Sequence, residues 1–436
     1  MNSGRLVAVV AFALGILYAF AVPLGEAPDE GAHLYYLERM SVGAELPRFA
    51  PAGDPLAYEA HQPPLDYGIV AAAARIAGIV PVGYPFVANP ELDFGSPGSR
   101  AFREPAAEPD AARRFRLVRL LRLLWLLPTA LLLVATVREV GLGDMRWCAA
   151  ASAAVVLSPQ LLFVSASVNN DGGVTFFASA CFLLLVKLVT SETPSPRAAG
   201  LAGTCAALAM LSKGTGLSLL VPAGVAAAWS WRRSRRPAIV AALLLPAAVG
   251  LAILLGLNQL RFGTPGFAFP PVPGHQASAA LRRLFEEPQW IATLASSFWA
   301  RFGWFNLPLP APAYLLFLPA SAFALVGFGV AVRRAAPGDP TARDVRPARL
   351  AIVMLAANLT IVVAHMIFVA WQPQGRLLLP SLGALCTLVV VGLRHLVGGT
   401  DESRAAALRS ALPALMLAIG LAANFLALYS IARAYD

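Results

Sequence analysis

The chain has 436 residues, 58% of them hydrophobic and only 13% charged, where a soluble domain carries about 25% charge. That balance excludes a soluble globular enzyme, a disordered chain and a nucleic-acid module. Many long apolar runs point instead to a multi-pass membrane protein. The net charge is +10, but the placement of the basic residues matters more than their sum, because they concentrate in cytoplasmic loops. Only Lys187 and Lys213 are lysines; the other basic residues are arginines. Cys148, Cys181, Cys205 and Cys386 all fall inside apolar runs with no metal-ligand spacing and read as small core residues.

A bilayer crossing needs about 20 apolar residues. Candidate spans run over 5–24, 117–137, 147–165, 172–190, 198–211, 214–231, 238–257, 313–332, 349–370, 377–397 and 410–432. The first has one positive charge, Arg5, and no small-x-small cleavage site before Pro23, so it reads as an uncleaved helix. With the N-terminus in the cytoplasm, the even-numbered spans end inside. Arg232, Arg233, Arg235 and Arg236 then fall inside, as do Arg333, Arg334, Arg343, Arg346 and Arg349, and Arg394, Arg404 and Arg409. The fold class is therefore an all-α polytopic membrane protein of about eleven transmembrane helices. It forms one integral membrane domain over 1–436, ending in the helices of 313–436.

Two long segments, 25–116 and 258–312, lie on the outer side in this topology, and loops of that length are often functional. In the first, Asp29–Gly43 reads as a short helix with Glu30 in its first turn, and 63–80 as a second helix lying along the membrane surface. Residues 84–110, with Pro85, Pro90, Pro97, Pro105 and Pro109, read as irregular.

The unusual polar motifs converge on the same outer face. Asp29-Glu30 lies just past the first span, and either acid could take a proton from an acceptor hydroxyl. The competing reading is an N-cap at Asp29 with Glu30 in the first turn. His33 lies four residues after Asp29, on one helical face. Asp29, His33 and His61, with Glu59 nearby, could hold a divalent metal, although the spacing is not a zinc pattern. No cofactor is assigned, and a divalent metal is the minor alternative to ordinary hydrogen bonding. Lys213 and Arg376 each sit in a short glycine-flanked turn at an outer membrane edge. There a cation either holds a lipid phosphate or anchors a helix end by snorkelling. Arg113, Arg116, Arg119 and Arg122 make a basic stripe, for an anionic lipid or as a solvated face. Asp171 reads as a cap of the fourth span. Phe298, Trp299, Phe302, Trp304 and Phe305 read as an interfacial belt, with sugar stacking as the alternative. No glycine-rich phosphate loop, Gly-x-Ser-x-Gly elbow or HExxH is present.

In order, "APDEGAHLYYLERMSVGAELP" (27–47), "YEAHQPPLDYGIVAA" (58–72), "RLLRLL" (119–124), "SVNNDGG" (167–173), "LSKGTGL" (211–217), "FWARFGW" (298–304) and "PQGRLLLPSL" (373–382) resemble the GT-C superfamily of integral-membrane glycosyltransferases. The likeness is to bacterial members related to the protein mannosyltransferases. The resemblance implies a polyprenyl-phosphate sugar donor, an extracytoplasmic acceptor and a site on the outer face of a bacterial inner membrane, among membrane lipids. By the same resemblance Asp29 is the catalytic acid with Glu30 as partner or substitute, and Arg376, Lys213 and Arg119 meet the donor phosphate. His33, His61, Gln62, Asp171, Trp304 and Gln374 are then expected to line the substrate. The sequence departs from the pattern at Leu65-Asp66-Tyr67, where tyrosine pairs are usual, and at Leu377, where a tyrosine is common. The chain ends soon after the last span, so acceptor recognition is expected to fall to the two long loops.

The expected reaction is a single inverting displacement at the anomeric carbon. Two other classes compete. A flippase or transporter of lipid-linked sugars would place charges near the bilayer midplane and show paired repeats, neither of which is evident. A non-catalytic subunit of a cell-envelope assembly is the other.

Overall fold

The computed structural model describes residues 3–43, 45–48, 57–79, 85–103, 109–141, 145–265, 274–333, 342–398 and 402–435. Pro105 of the proline-rich stretch and Arg334 of the second arginine cluster lie outside them. The described chain is helical almost throughout, as its apolar runs dictate.

Helix α1 (Ser3–Ala21) is followed by two short loop helices, α2 (Glu30–Ser41) and α3 (Leu65–Ile76). Before α3 comes a 3-10 turn over Ala57–His61. Helices α4 (Pro109–Arg122) and α5 (Leu126–Val140) together form one long rod, arginine-rich at its start and apolar enough beyond it to cross a membrane. Helices α6 (Met145–Val156) and α7 (Pro159–Ser165) are bent by 63° where Pro159 opens the second. Next are α8 (Asp171–Thr190), α9 (Pro196–Ser212), α10 (Leu220–Ser234) and α11 (Pro237–Phe262), with a 3-10 turn at Gly214–Leu219. The second long loop carries α12 (Ala277–Glu286) and α13 (Gln289–Trp299). The bundle closes with α14 (Leu318–Val332), α15 (Ala342–Phe368), α16 (Leu382–Gly398) and α17 (Glu402–Tyr435), and a 3-10 turn at Gly375–Ser381 leads into α16.

The expected helices at 29–43 and 63–80 are present as α2 and α3. The stretch expected to be irregular holds one short antiparallel pairing, Val87–Ala88 with Phe102–Arg103.

Among the described residues, eight helices are long and apolar enough to cross a membrane, or nine with the bent α6–α7 pair counted as one span. The expected eleven is therefore not reached. The two remaining expected spans, 198–211 and 214–231, are the 17-residue α9 and the 15-residue α10. Ser212-Lys213-Gly214 interrupts what would otherwise be continuous apolar helix. The chain there doubles back so closely that a Cβ on Gly216 would meet the backbone of Ala209 and Met210.

The two ends of the bundle differ in character. Arg233 and Arg346 both donate to the carbonyl of Val189 at the C-terminal end of α8, and Arg394 donates to Val140 at the end of α5. The opposite end receives the start of α8, the Lys213 and Arg376 turns and both long loops.

Candidate functional site

The four charged residues at the centre of the site come from four separated segments at the loop-bearing end. Asp29 precedes α2 with a left-handed backbone, φ 62°, a conformation that few residues other than glycine adopt. Its side chain makes no capping bond. It points instead to Arg376, whose Nη2 donates to Asp29 Oδ2 at 2.5 Å. Tyr58 Oη donates to Asp29 Oδ1 at 3.3 Å. The Asp29 carboxylate therefore faces a cation rather than the N–H groups at the start of α2.

Arg376 is aimed by its own turn. Its Nε donates to Gln374 Oε1 at 2.8 Å, and its guanidinium lies 5.5 Å from the ring centre of Phe305. The turn is pinned because the Gly375 N–H donates to Ser297 Oγ at 2.8 Å. A Cβ on Gly375 would collide with the backbone of Phe298. Lys213 Nζ donates to Asp171 Oδ1 at 2.6 Å, and Asp171 Oδ2 lies 3.9 Å from Arg376 Nη1. Asn170 takes the N-cap position of α8, so Asp171 is free to join the two cations. Two cations and two carboxylates thus form one partly enclosed chain, Lys213–Asp171–Arg376–Asp29. Asp29 is its most open member, with 22% of its side chain exposed.

Glu59 completes the cluster. Burial pushes its carboxyl up to about 7, and the charge of Asp29 adds to the effect. Gln62 Nε2 donates to Glu59 Oε2 at 2.7 Å, and Asn170 Nδ2 donates to Gln62 Oε1 at 2.8 Å. This link fastens the first loop to the start of α8. Arg261 holds the same loop from outside by donating to the carbonyls of Pro47, Ala60 and Gln62. Burial holds the His61 imidazole down at about 4. Burial, and then the charges of Lys213 and Arg376, lower that of His33 well below its usual value. Both rings are neutral near pH 7. His33 Nδ1 is bonded to Tyr67 Oη at 2.6 Å. Asp29, His33 and Glu59 offer ligand atoms all within 4.8 Å of one another. His61, expected among possible metal ligands, is outside that group.

Two expected site residues lie elsewhere. Glu30 and Arg119 pair with each other at 2.8 and 2.6 Å, fully buried. Arg119 also donates to the carbonyls of Ala19, Val22 and Pro23, while Glu30 accepts the N–H groups of Gly25 and Val168. Every strong bonding direction of both groups is used, so neither is available beside Asp29 or to a phosphate. Arg122 is likewise bound to Asp66, at 2.7 Å. The extra acid of the Leu65-Asp66-Tyr67 stretch is therefore this arginine's partner. Of the arginine stripe only Arg113 and Arg116 are exposed.

The aromatic run is divided: Phe302 is buried away from any belt, whereas Phe298, Trp299, Trp304 and Phe305 are half-buried. Trp299 stacks on Phe317 at 5.0 Å, and Trp304 Nε1 donates to the Gly25 carbonyl. Phe305, rather than Trp304, touches Arg376. Tyr58, Glu59 and Phe305 join the site without a sequence pattern that marks them as its residues. The glutamate is legible in the Glu59-Ala60-His61-Gln62 motif only as a neighbour of possible metal ligands and Phe305 only as a member of the aromatic run, whereas Tyr58 carries no chemical signature in the sequence.

Solved structures share this architecture. The crystal structure of ArnT from Cupriavidus metallidurans in the apo state matches with a TM-score of 0.53 at 16% identity, over 99% of this chain and 73% of that one. The same protein bound to undecaprenyl phosphate gives 0.50 at 16%, over 99% and 74%. The archaeal oligosaccharyltransferase AglB from Archaeoglobus fulgidus, in complex with an inhibitory peptide and a dolichol-phosphate, gives 0.51 at 12%. That match covers 99% of this chain and only 56% of AglB. At these identities the likeness establishes the fold alone, which this chain shares with ArnT and AglB. No curated protein matches the sequence. A family model described as "Predicted membrane protein (DUF2142)" matches residues 115–393, well over half of the chain. The chain is therefore a multi-pass membrane protein belonging to the family of predicted membrane proteins DUF2142.

Proposed function

We propose that this protein is a glycosyltransferase that moves a sugar from a polyprenyl-phosphate donor to an acceptor hydroxyl on the extracytoplasmic face of a bacterial inner membrane. The observation that carries the reading is the direct contact of Asp29 with Arg376, 2.5 Å apart across 347 positions of sequence. Lys213 reaches the same cluster through Asp171. The bound lipid phosphates of the ArnT and AglB structures supply the donor class by analogy. The arginine clusters at the far end of the bundle support an outward-facing site, by the positive-inside rule.

In the absence of donor, Asp29 neutralises Arg376. An arriving phosphodiester competes for the guanidinium, which binds it through paired N–H groups while Lys213 adds a second charge. Asp29 is then released toward the acceptor. The acceptor oxygen attacks the anomeric carbon and its proton passes to the Asp29 carboxylate. The bond from that carbon to the phosphate oxygen breaks, and its electron pair stays on the lipid phosphate, where the two cations stabilise it. One displacement inverts the anomeric centre.

In the test, Asp29→Asn is purified and assayed for sugar transfer from a polyprenyl-phosphate donor. Transfer falls by about 10²–10⁴-fold, the range lost with a general base, while binding of the lipid phosphate persists. Full transfer by that variant would remove Asp29 from the mechanism. The cations already at the phosphate leave a metal no required role, so EDTA is expected to leave the rate unchanged. A loss restored by Mn²⁺ would instead assign an ion to Asp29, His33 and Glu59.

A further inference from the structure

Helix α12 stands apart from the spans in both length and pattern. Successive residues of a helix turn by about 100°. On that basis Ala280 and Leu284 share one side, Leu281 and Phe285 come next around it, and Ser278, Arg282 and Glu286 follow. The first side faces protein: Ala280 is buried, and Leu284 packs against the cluster of Leu294, Val362 and Met366. Leu281 and Phe285 are 48% and 81% exposed, although α12 is not one of the membrane-crossing helices. Two adjacent large apolar side chains left this open outside a span, next to the exposed Phe368, make a patch rather than a lone residue and call for an apolar surface to meet it.

The neighbours of α12 fix its depth. His275, just before the helix, bonds to the Ile367 carbonyl, and the Arg283 guanidinium lies 4.4 Å from the ring centre of Trp371. Both tethers reach residues 367–371, at the end of the span Val345–Phe368, so α12 lies across that end rather than extending away from it. Phe368 itself is 64% exposed, continuing the lipid-facing surface of the span up to the helix. Spans of this kind end where hydrocarbon gives way to headgroups.

We propose that α12 is a membrane-surface helix whose Leu281–Phe285 edge sits in the lipid boundary, with Arg282 at the level of the headgroups. Such a helix binds through its buried apolar side and the attraction of its cations to anionic lipid. Helix α13 follows directly and supplies Ser297, which holds the Gly375 N–H. The lipid surface is thus joined to the Arg376 turn through two consecutive helices. The inference stands on this geometry whether or not the protein transfers sugars.

The experiment uses the full chain in nanodiscs of mixed phosphatidylcholine and phosphatidylglycerol. Nitroxide labels are placed at Phe285→Cys, Leu281→Cys and Glu286→Cys in a Cys205→Ser background, because the other three cysteines are buried. Accessibility to dissolved oxygen is compared with accessibility to a water-soluble nickel chelate. Labels at 285 and 281 are expected to shift toward oxygen, and the label at 286 toward nickel. Either of the first two positions carries the reading if the other variant does not fold. Equal nickel accessibility at 285, 281 and 286 overturns the proposal. So does protection of 285 and 281 from both reagents, which would mean that protein covers the edge.

Discussion

Glu59 shows how far the chemistry of a side chain can depart from what its letter implies. Its carboxyl is pushed up to about 7 by burial first and by Asp29 second, with Lys213 and Arg376 pulling the other way. In the unfolded chain the same group titrates near 4.3. Between those values the folded protein holds a proton that the unfolded chain has lost, so Glu59 lowers stability as pH rises through that window. The imidazoles of His33 and His61, held low by burial, act in the opposite sense across most of it, because an unfolded histidine titrates near 6.5. The effect is therefore read as a difference between wild type and Glu59→Gln. The melting temperature of wild type relative to the variant is expected to fall from pH 5 to pH 8 in detergent. A constant offset would show that Glu59 titrates as an ordinary surface acid. Asp29, Lys213 and Arg376 were visible as polar residues at membrane edges. Their direct contact was not, because it depends on three turns whose geometry no local pattern specifies: the left-handed Asp29, the doubled-back chain at Gly216 and the close approach at Gly375.

The junction of α1, α2 and α4 depends on a buried ion pair rather than on apolar packing alone. Glu30 and Arg119 lie 89 positions apart and are both inaccessible to solvent. In the sequence Glu30 resembles a proton-transfer group and Arg119 a phosphate ligand, because acid and base look alike whether they serve a ligand or each other. What distinguishes them is saturation: Arg119 is satisfied by Glu30 and three carbonyls, whereas Asp29 keeps an open side. Glu30→Gln leaves the Arg119 charge buried without its counterion, and removing one partner of such a pair costs about 3–5 kcal/mol. The variant is expected to unfold at a markedly lower temperature. The double change of Glu30→Leu with Arg119→Met should be milder, since no uncompensated charge remains. Folded Glu30→Gln protein is expected to retain transfer. Normal stability together with lost activity would return Glu30 to the reacting groups. The helices themselves were the most legible feature, since long apolar runs admit few alternatives in a bilayer. Their count was less so, because α9 and α10 are short and meet at a polar turn.

Across the whole molecule, close helix contacts are made through glycine. A side chain at Gly327 would strike the Leu388 backbone, one at Gly392 the Phe323 backbone, and one at Gly203 the Leu243 backbone. Small residues at such crossings replace the hydrophobic drive that lipid removes, by letting backbones approach. This packing brings the segment before α2, the start of α8, the turn after α9 and the turn before α16 to one end, and the site exists only while all four stay there. A ligand that bridges Arg376 and Lys213 binds the assembled bundle and not the unfolded chain. By linkage it stabilises the bundle by about 2.7 kcal/mol at a hundred times its dissociation constant. Undecaprenyl phosphate is therefore expected to raise the melting temperature of purified protein in a concentration-dependent way. Lys213→Met should weaken the shift, and Arg376→Met should abolish it. The unphosphorylated alcohol of the same chain length isolates the contribution of the charge. An equal shift from the alcohol would mean that the tail alone is recognised, and the two cations would then be anchors of their turns with Asp171 and Asp29 as their permanent partners.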